Sequence, residues 1–312
     1  MKIGGVYQFT GKNIAVRIQV KYAIKRQIEM HKIEMHQHER SQSERSRNEH
    51  KQNKRTKLEK TGARTGKLTG VSLGPGDPGL ITRRGWDALG SGAVWTYPVR
   101  KKGGQSFALD IALRAGLALP QEHIPLTFPM THDSEKLARY WLLAAETVLQ
   151  LLYLGRDVVF LVEGDASTFS TWNHLARTVR ALDQQVELET IAGVSSYLAA
   201  AAQLQTPLAD VDDTVAILPA AYGVEAVERL LPEFDTLVLL KVKPLLDELI
   251  DMLTRHDLLP HSCFVEKTGT ADERVVRDIV SLRGQKVNYL SLLLVRNPHR
   301  QKGERMRGCR KK

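Results

Sequence analysis

Only two cysteines, Cys263 and Cys309, occur in 312 residues. Two isolated thiols make neither a disulfide framework nor a zinc site. Long apolar runs are missing too, and none approaches the roughly 18 residues that a membrane-spanning helix needs. Aromatic residues amount to 6% and are not interleaved with basic ones, as a nucleic-acid surface would require. The first 28 residues lack acidic side chains altogether. A transit peptide shares that trait, but this stretch is poor in serine and a mixed-charge segment follows it. Together these absences predict a cytoplasmic protein with neither membrane nor nucleic acid among its partners.

The net charge of +10 is unevenly placed. Residues 1–66 hold 16 Lys and Arg against 6 acids, and the stretch from Arg296 holds 8 basic residues against Glu304 alone. The body between them carries 21 basic and 28 acidic residues, so the basic charge sits on the ends. Residues 32–60 contain almost no large apolar side chain and cannot offset the entropy of ordering. Residues 1–66 therefore read as a basic low-complexity extension, either disordered or upstream of the working start, and 300–312 as a basic tail. His31, His36, His38 and His50 are too irregularly spaced to assign a metal. Cys263 reads as core and Cys309 as an exposed thiol.

From Lys67 the chain alternates strand and helix. Apolar runs predict strands over 68–73, 93–97, 158–163, 186–191, 215–218, 237–240, 262–265 and 289–295, with another leading into 126–133. Helical periodicity predicts helices over 80–89, 106–117, 134–154, 172–182, 196–204, 224–231 and 244–255. Such alternation implies an α/β protein with a largely parallel, helix-covered sheet. The most informative turn is Gly74-Pro75-Gly76-Asp77, where a strand leaves the sheet. Gly74 and Gly76 are expected to supply positive φ and close approach to a ligand, and Pro75 to stiffen the turn. Asp77 is the charged group at that carboxyl end, where open α/β sheets bind ligands. The turn has neither the Lys-Ser/Thr of a Walker loop nor GxGxxG spacing.

Other strand exits carry polar groups. Glu163-Gly164-Asp165 follows an unbroken apolar run, and its acids can accept hydrogen bonds from a ribose or an ammonium. In the plainer reading Asp165 caps a helix beginning near Thr168. At Ala192-Gly193-Val194-Ser195-Ser196 hydroxyls and free amides converge at a helix start, which is also an ordinary N-cap. Pro219-Ala220 and Lys267-Thr268-Gly269 end later strands.

In order along the chain, these segments resemble the tetrapyrrole methylases, which methylate porphyrin precursors with S-adenosylmethionine. The resemblance implies two α/β domains with a cofactor cleft between them, preceded by the basic extension: an N-terminal domain at 67–191 and a C-terminal one at 192–299. It implies donor binding by Gly74, Pro75, Gly76, Asp77, Glu163, Gly164, Asp165, Thr168, Ser195, Ser196, Pro219, Ala220 and Gly269, with no metal and a homodimeric assembly. Two departures stand out, because the family's Gly-Asp-Pro has Ala166 in third place and its Pro-Gly-Xaa-Ser-Ser begins here with Ala192. The stretches from Tyr97-Pro98-Val99-Arg100-Lys101-Lys102-Gly103-Gly104 to Ser106 and Phe128-Pro129-Met130-Thr131-His132 are similar to the branch acting at C20 of precorrin-2 or cobalt-factor II. Tyr97, Arg100, Lys101, Lys102, Met130 and His132 are its candidate contacts to a polycarboxylate tetrapyrrole, with Lys241 and Lys243 as further cations. Asp77 is the preferred proton acceptor among Asp77, Asp165, His132 and Tyr97. Alternatives are a uroporphyrinogen III or other ring-position methylase, a ribosomal RNA ribose methylase, and a non-catalytic nucleotide-binding module.

Overall fold

The computed structural model describes residues 64–220 and 223–300, so the N-terminal histidines, Cys309 and nearly all of both basic ends lie outside the described residues. The first half runs β1 (Leu68–Ser72), α1 (Arg83–Leu89), β2 (Val94–Val99), α2 (Phe107–Arg114), β3 (His123–Thr127), α3 (Ser134–Tyr153), β4 (Val158–Val162), α4 (Trp172–Leu182) and β5 (Leu188–Ile191). Its strands form one sheet in the order β3-β2-β4-β1-β5, parallel throughout. β1 and β4 are buried at every position, as central strands covered on both faces must be. Helices cap where short polar side chains precede them, with Thr82, Ser106 and Asp133 accepting first-turn amides. One face packs Val71, Leu73, Trp95 and Leu161 with α2, and the other packs Phe160 and Val162 with α3 and α4.

After β5 come α5 (Ser196–Gln203), β6 (Val215–Pro219), α6 (Val224–Glu228), β7 (Thr236–Leu240), α7 (Leu246–Arg255), β8 (Ser262–Glu266), β9 (Arg274–Val276) and β10 (Ser291–Arg296). They build a second sheet in the order β6-β7-β10-β8-β9. α5 packs on this second sheet through Ala200, Ala201 and Leu204. α7 and Leu258 fill the larger core on its other face. Cys263 is buried on the α5 face, and burial pushes its thiol pKa up.

The second sheet is mixed, whereas the strand–helix alternation predicted a largely parallel one. β10 lies antiparallel between β7 and β8. Pairing direction is a tertiary property, and a strand's apolar run is the same either way. β3 starts at His123, ahead of the expected run. Pro125 lies inside it, which an edge strand tolerates because the missing N–H can face outward. β9 is too short to show periodicity. α4 spans Trp172–Leu182 as the periodicity predicts, so no helix starts near Thr168 for Asp165 to cap.

Candidate functional site

Three exits from the first sheet are tied together at one point. Gly74 and Gly164 pair as an antiparallel bridge, with Gly164 N donating to Gly74 O at 2.7 Å and Gly74 N to Gly164 O at 3.2 Å. Ser72, fully buried, donates its hydroxyl to Ile191 O at 2.6 Å and accepts the Ala166 amide at 2.8 Å. Asp165 accepts the Gly193 amide through Oδ2 at 2.8 Å. Its Oδ1 takes the Ser167 amide at 2.9 Å and the Ser167 and Thr168 hydroxyls. Burial alone would raise the Asp165 pKa, but the bonds from Ser167, Gly193 and Thr168 prevail and hold it below the usual value. A Cβ at Gly193 would stand 2.4 Å from Ser72 Cβ, so only glycine fits there. At Gly164, φ is +74° and a Cβ would meet nothing within 4 Å. The floor is thus bare backbone, open on one side.

Both plain alternatives for these residues are partly corrected. Asp165 does not cap α4, which starts well past it; it links β4 to β5. Ser195 is the N-cap residue of α5, yet it makes no side-chain capping bond. The expectation of positive φ at both glycines of the first turn holds for Gly74 alone, at +77°. Gly76 is needed for space: a Cβ there would stand 2.7 Å from Thr268 O and 2.8 Å from Thr270 Cγ2. Asp77 is exposed and spends Oδ1 on the Gly79 amide at 2.8 Å, heading a short 3-10 turn.

The second sheet meets these exits with its own carboxyl ends. β6 is parallel to β7, and β7 and β8 are each antiparallel to β10, so β6, β7 and β8 run the same way. The turn after β8 interlocks with the turn after β1, because a Cβ on Gly269 would stand 2.7 Å from Asp77 N. Arg114 of α2 braces the contact by donating to Gly76 O at 2.7 Å. A second seam joins the loop after β4 to the end of β7, where Lys241 Nζ stands 5.9 Å from the Phe169 ring centroid. Both residues hold positive φ, 50° at Phe169 and 57° at Lys241, a conformation that costs a non-glycine residue energy and clusters at functional sites. Strand ends of both sheets therefore converge on one cleft, the place where α/β sheets bind ligands.

The remaining candidates are more scattered. Arg100, Lys101 and Lys102 are exposed at the exit of β2, in a tight turn closed by Gly104 N donating to Lys101 O at 2.9 Å. Met130 and His132 are exposed between β3 and α3. Tyr97 is buried inside the sheet, its hydroxyl 2.9 Å from His123 Nδ1, and burial raises its pKa. Pro219 is half-buried at the end of β6 and Ala220 is fully buried beside it. Ser196 opens α5. Glu163 is half-buried, and burial pushes its pKa up to about 7 while the Arg100 cation pulls the other way. No group of three or more His, Cys, Asp or Glu able to hold a metal occurs among the described residues.

The family model for Tetrapyrrole (Corrin/Porphyrin) Methylases matches residues 67–281. The chain belongs to the tetrapyrrole methylase family. A probable cobalt-precorrin-2 C(20)-methyltransferase of Methanocaldococcus jannaschii is 32% identical over 232 residues, spanning 74% of this chain and 96% of that protein. The cobalt-precorrin-2 C(20)-methyltransferase of Salmonella typhimurium is 31% identical over 231 residues, again 74% and 96%. In fold, this methylase resembles the uroporphyrin-III C-methyl transferase of Thermus thermophilus solved with S-adenyl homocysteine. The TM-score is 0.52 at 22% identity, covering 74% of this chain and 97% of that one.

Sequence reasoning missed two parts of this methylase's cleft. Ser72 carried no assignment, since a serine at the end of an apolar strand gives no sign of its partners 94 and 119 residues away. Phe169 was overlooked because its left-handed backbone has no signature without glycine or asparagine.

Proposed function

We propose that this chain is an S-adenosylmethionine-dependent methyltransferase acting on C20 of precorrin-2 or its cobalt-bearing form, in cobalamin biosynthesis. What carries the reading is that two relatives named for C20 methylation match through 96% of their own length. The bare glycine floor at the convergent strand ends suits the donor chemically. The donor's adenosine needs close backbone approach, its methionine part needs exposed amides and acids, and neither needs a metal. Gly74, Pro75, Gly76 and Asp77 would hold it from β1, with Gly164, Asp165 and Thr168 after β4, while Glu163, also expected in this set, is assigned to the acceptor side. Ser195 and Ser196 at α5, Pro219 and Ala220 after β6, and Gly269 after β8 would complete the set.

Bound, the donor supplies a methyl already activated on a sulfonium. The protein's part is to hold the acceptor carbon in line with it, which can contribute roughly 7–11 kcal/mol. Arg100, Lys101, Lys102 and His132 at the cleft mouth would grip the acceptor's carboxylates by charge-assisted hydrogen bonds. Tyr97 and Met130 would line that side. The domain boundary is placed at 191–192, between β5 and the segment that leads α5 onto the second sheet. A cytoplasmic homodimer without nucleic-acid or membrane partners belongs to the same proposal.

Full-length protein incubated with S-adenosylmethionine and either precorrin-2 or cobalt-factor II tests it by mass spectrometry. One added methyl located at C20 is the expected result, and the better acceptor identifies the metal state. Donor binding without transfer to either acceptor overturns the C20 assignment and favours another ring position.

A further inference from the structure

We propose that the Glu163 carboxylate is the general base that removes the C20 proton once the methyl group has been transferred, an assignment that rests on the function proposed above. Glu163 is the first residue after β4, which lies between β1 and β2 in the sheet. Its next neighbour along the chain, Gly164, is bridged to Gly74 in the bare floor. The exit of β2 on the other side carries Arg100, which heads the cationic turn. Glu163 thus stands where the donor side of the cleft meets the acceptor side, and the reacting carbon has to lie at that boundary.

The other acids and bases of the cleft are engaged or remote. Asp165 has both oxygens committed to Ser167, Thr168 and Gly193. Asp77 is exposed on the β1 exit, with Oδ1 on the Gly79 amide. Tyr97 is paired with His123 within the sheet. His132 is exposed in the loop before α3. Among the described residues the Glu163 carboxyl makes no hydrogen bond or ion pair. Of the charged groups on the neighbouring exits, Arg100 is the one whose field reaches it. A carboxyl that titrates at about 7 is matched to accepting a proton at neutral pH.

The step balances. The C20 enamine pair forms the new C20–CH3 bond while the sulfur–methyl bond breaks with its pair left on sulfur. The C20–H bond then breaks, its pair restores the conjugated double bond, and the proton goes to the Glu163 carboxylate and on to solvent. No oxidant or reductant enters.

Single-turnover kinetics on full-length wild type, Glu163→Gln and Glu163→Asp, with whichever acceptor the wild type methylates, separate the two bond changes. S-adenosylhomocysteine reports methyl transfer, and the return of the conjugated absorption band reports proton loss. In Glu163→Gln, donor binding and S-adenosylhomocysteine formation are expected to stay within a few-fold of wild type. The chromophore should return about 100-fold more slowly or worse, with a new isotope effect from deuterium at C20 and partial rescue in Glu163→Asp. Chromophore return at the wild-type rate overturns the proposal, and so does loss of donor affinity, which would make Glu163 a donor ligand. If Glu163→Gln does not fold, the wild-type pH profile decides. A limb near 7 that moves upward in Arg100→Ala supports the base, and no limb, or an unmoved one, overturns it. A wild type that methylates neither acceptor overturns the functional reading itself, and this assignment falls with it.

Discussion

The Asp165 carboxylate accepts the Gly193 amide at 2.8 Å, pinning the exit of β4 to the exit of β5. That carboxylate is buried with every oxygen engaged, so its bonds stabilise only while it is ionised. Asp165→Asn puts a donor where an acceptor is needed and is expected to cost about 1–3 kcal/mol at pH 7. Because the folded pKa is lowered, the contribution is present above the usual aspartate pKa and fades as pH falls through the depressed folded value. Urea titrations of both proteins from pH 7 downward should therefore show the difference holding above the usual aspartate pKa and narrowing as the pH falls below it.

Gly76→Ala should force the two sheets' loops apart at the turn after β8. Backbone atoms of Thr268 cannot yield as the end of a flexible side chain would, so a loss of about 1–3 kcal/mol and weaker donor binding by calorimetry are expected. Gly90→Ala is the control. Its φ is −82° and its nearest would-be contact lies at 3.7 Å, so stability should change by less than about 0.5 kcal/mol.

Ala166→Pro restores the family's usual residue yet removes the N–H that bonds to Ser72 Oγ. The expected cost is about 1 kcal/mol, and Ser72→Ala should cost about 1–3 kcal/mol by leaving Ile191 O unpaired as well. A double-mutant cycle should find the two changes coupled, and additive losses would show that the bond contributes nothing.

Glu163→Gln is expected to stabilise the protein while slowing it. With a folded pKa raised to about 7, the wild type gains from the protonated carboxyl below the usual glutamate pKa. That gain disappears as pH rises through 7. The variant should therefore melt higher than wild type at pH 8, by a margin on the order of 1–3 kcal/mol, and nearly match it at pH 4. Equal melting temperatures at pH 8 would show that burial does not burden this carboxyl.

Lys101→Ala combined with Lys102→Ala should raise the KM for the tetrapyrrole several-fold at low salt and leave kcat near wild type. Both cations are exposed, so 0.5 M salt should erase most of the difference. A KM effect that survives salt would mean a direct, desolvated contact.

Much of this protein is determined locally. The apolar runs at 158–163 and 237–240 and the helical periodicities of 134–154 and 244–255 place elements because side-chain spacing alone fixes which face is buried. The turn residues Gly74-Pro75-Gly76-Asp77 and the exit Glu163-Gly164-Asp165 mark the cleft because chemistry at strand ends is written in consecutive residues. What depended on partners far along the chain was not legible. The reversed direction of β10, the interlock of Gly76 with Thr268 and Gly269, and the Ser72 bonds to Ala166 and Ile191 arise only on packing. So does the contrast between two acids of one turn, Asp165 held ionised by donated hydrogen bonds and Glu163 left half-buried without one. The sequence names both carboxyls, but the tertiary structure sets their protonation, because a pKa is decided by the solvent and dipoles that folding removes or brings near.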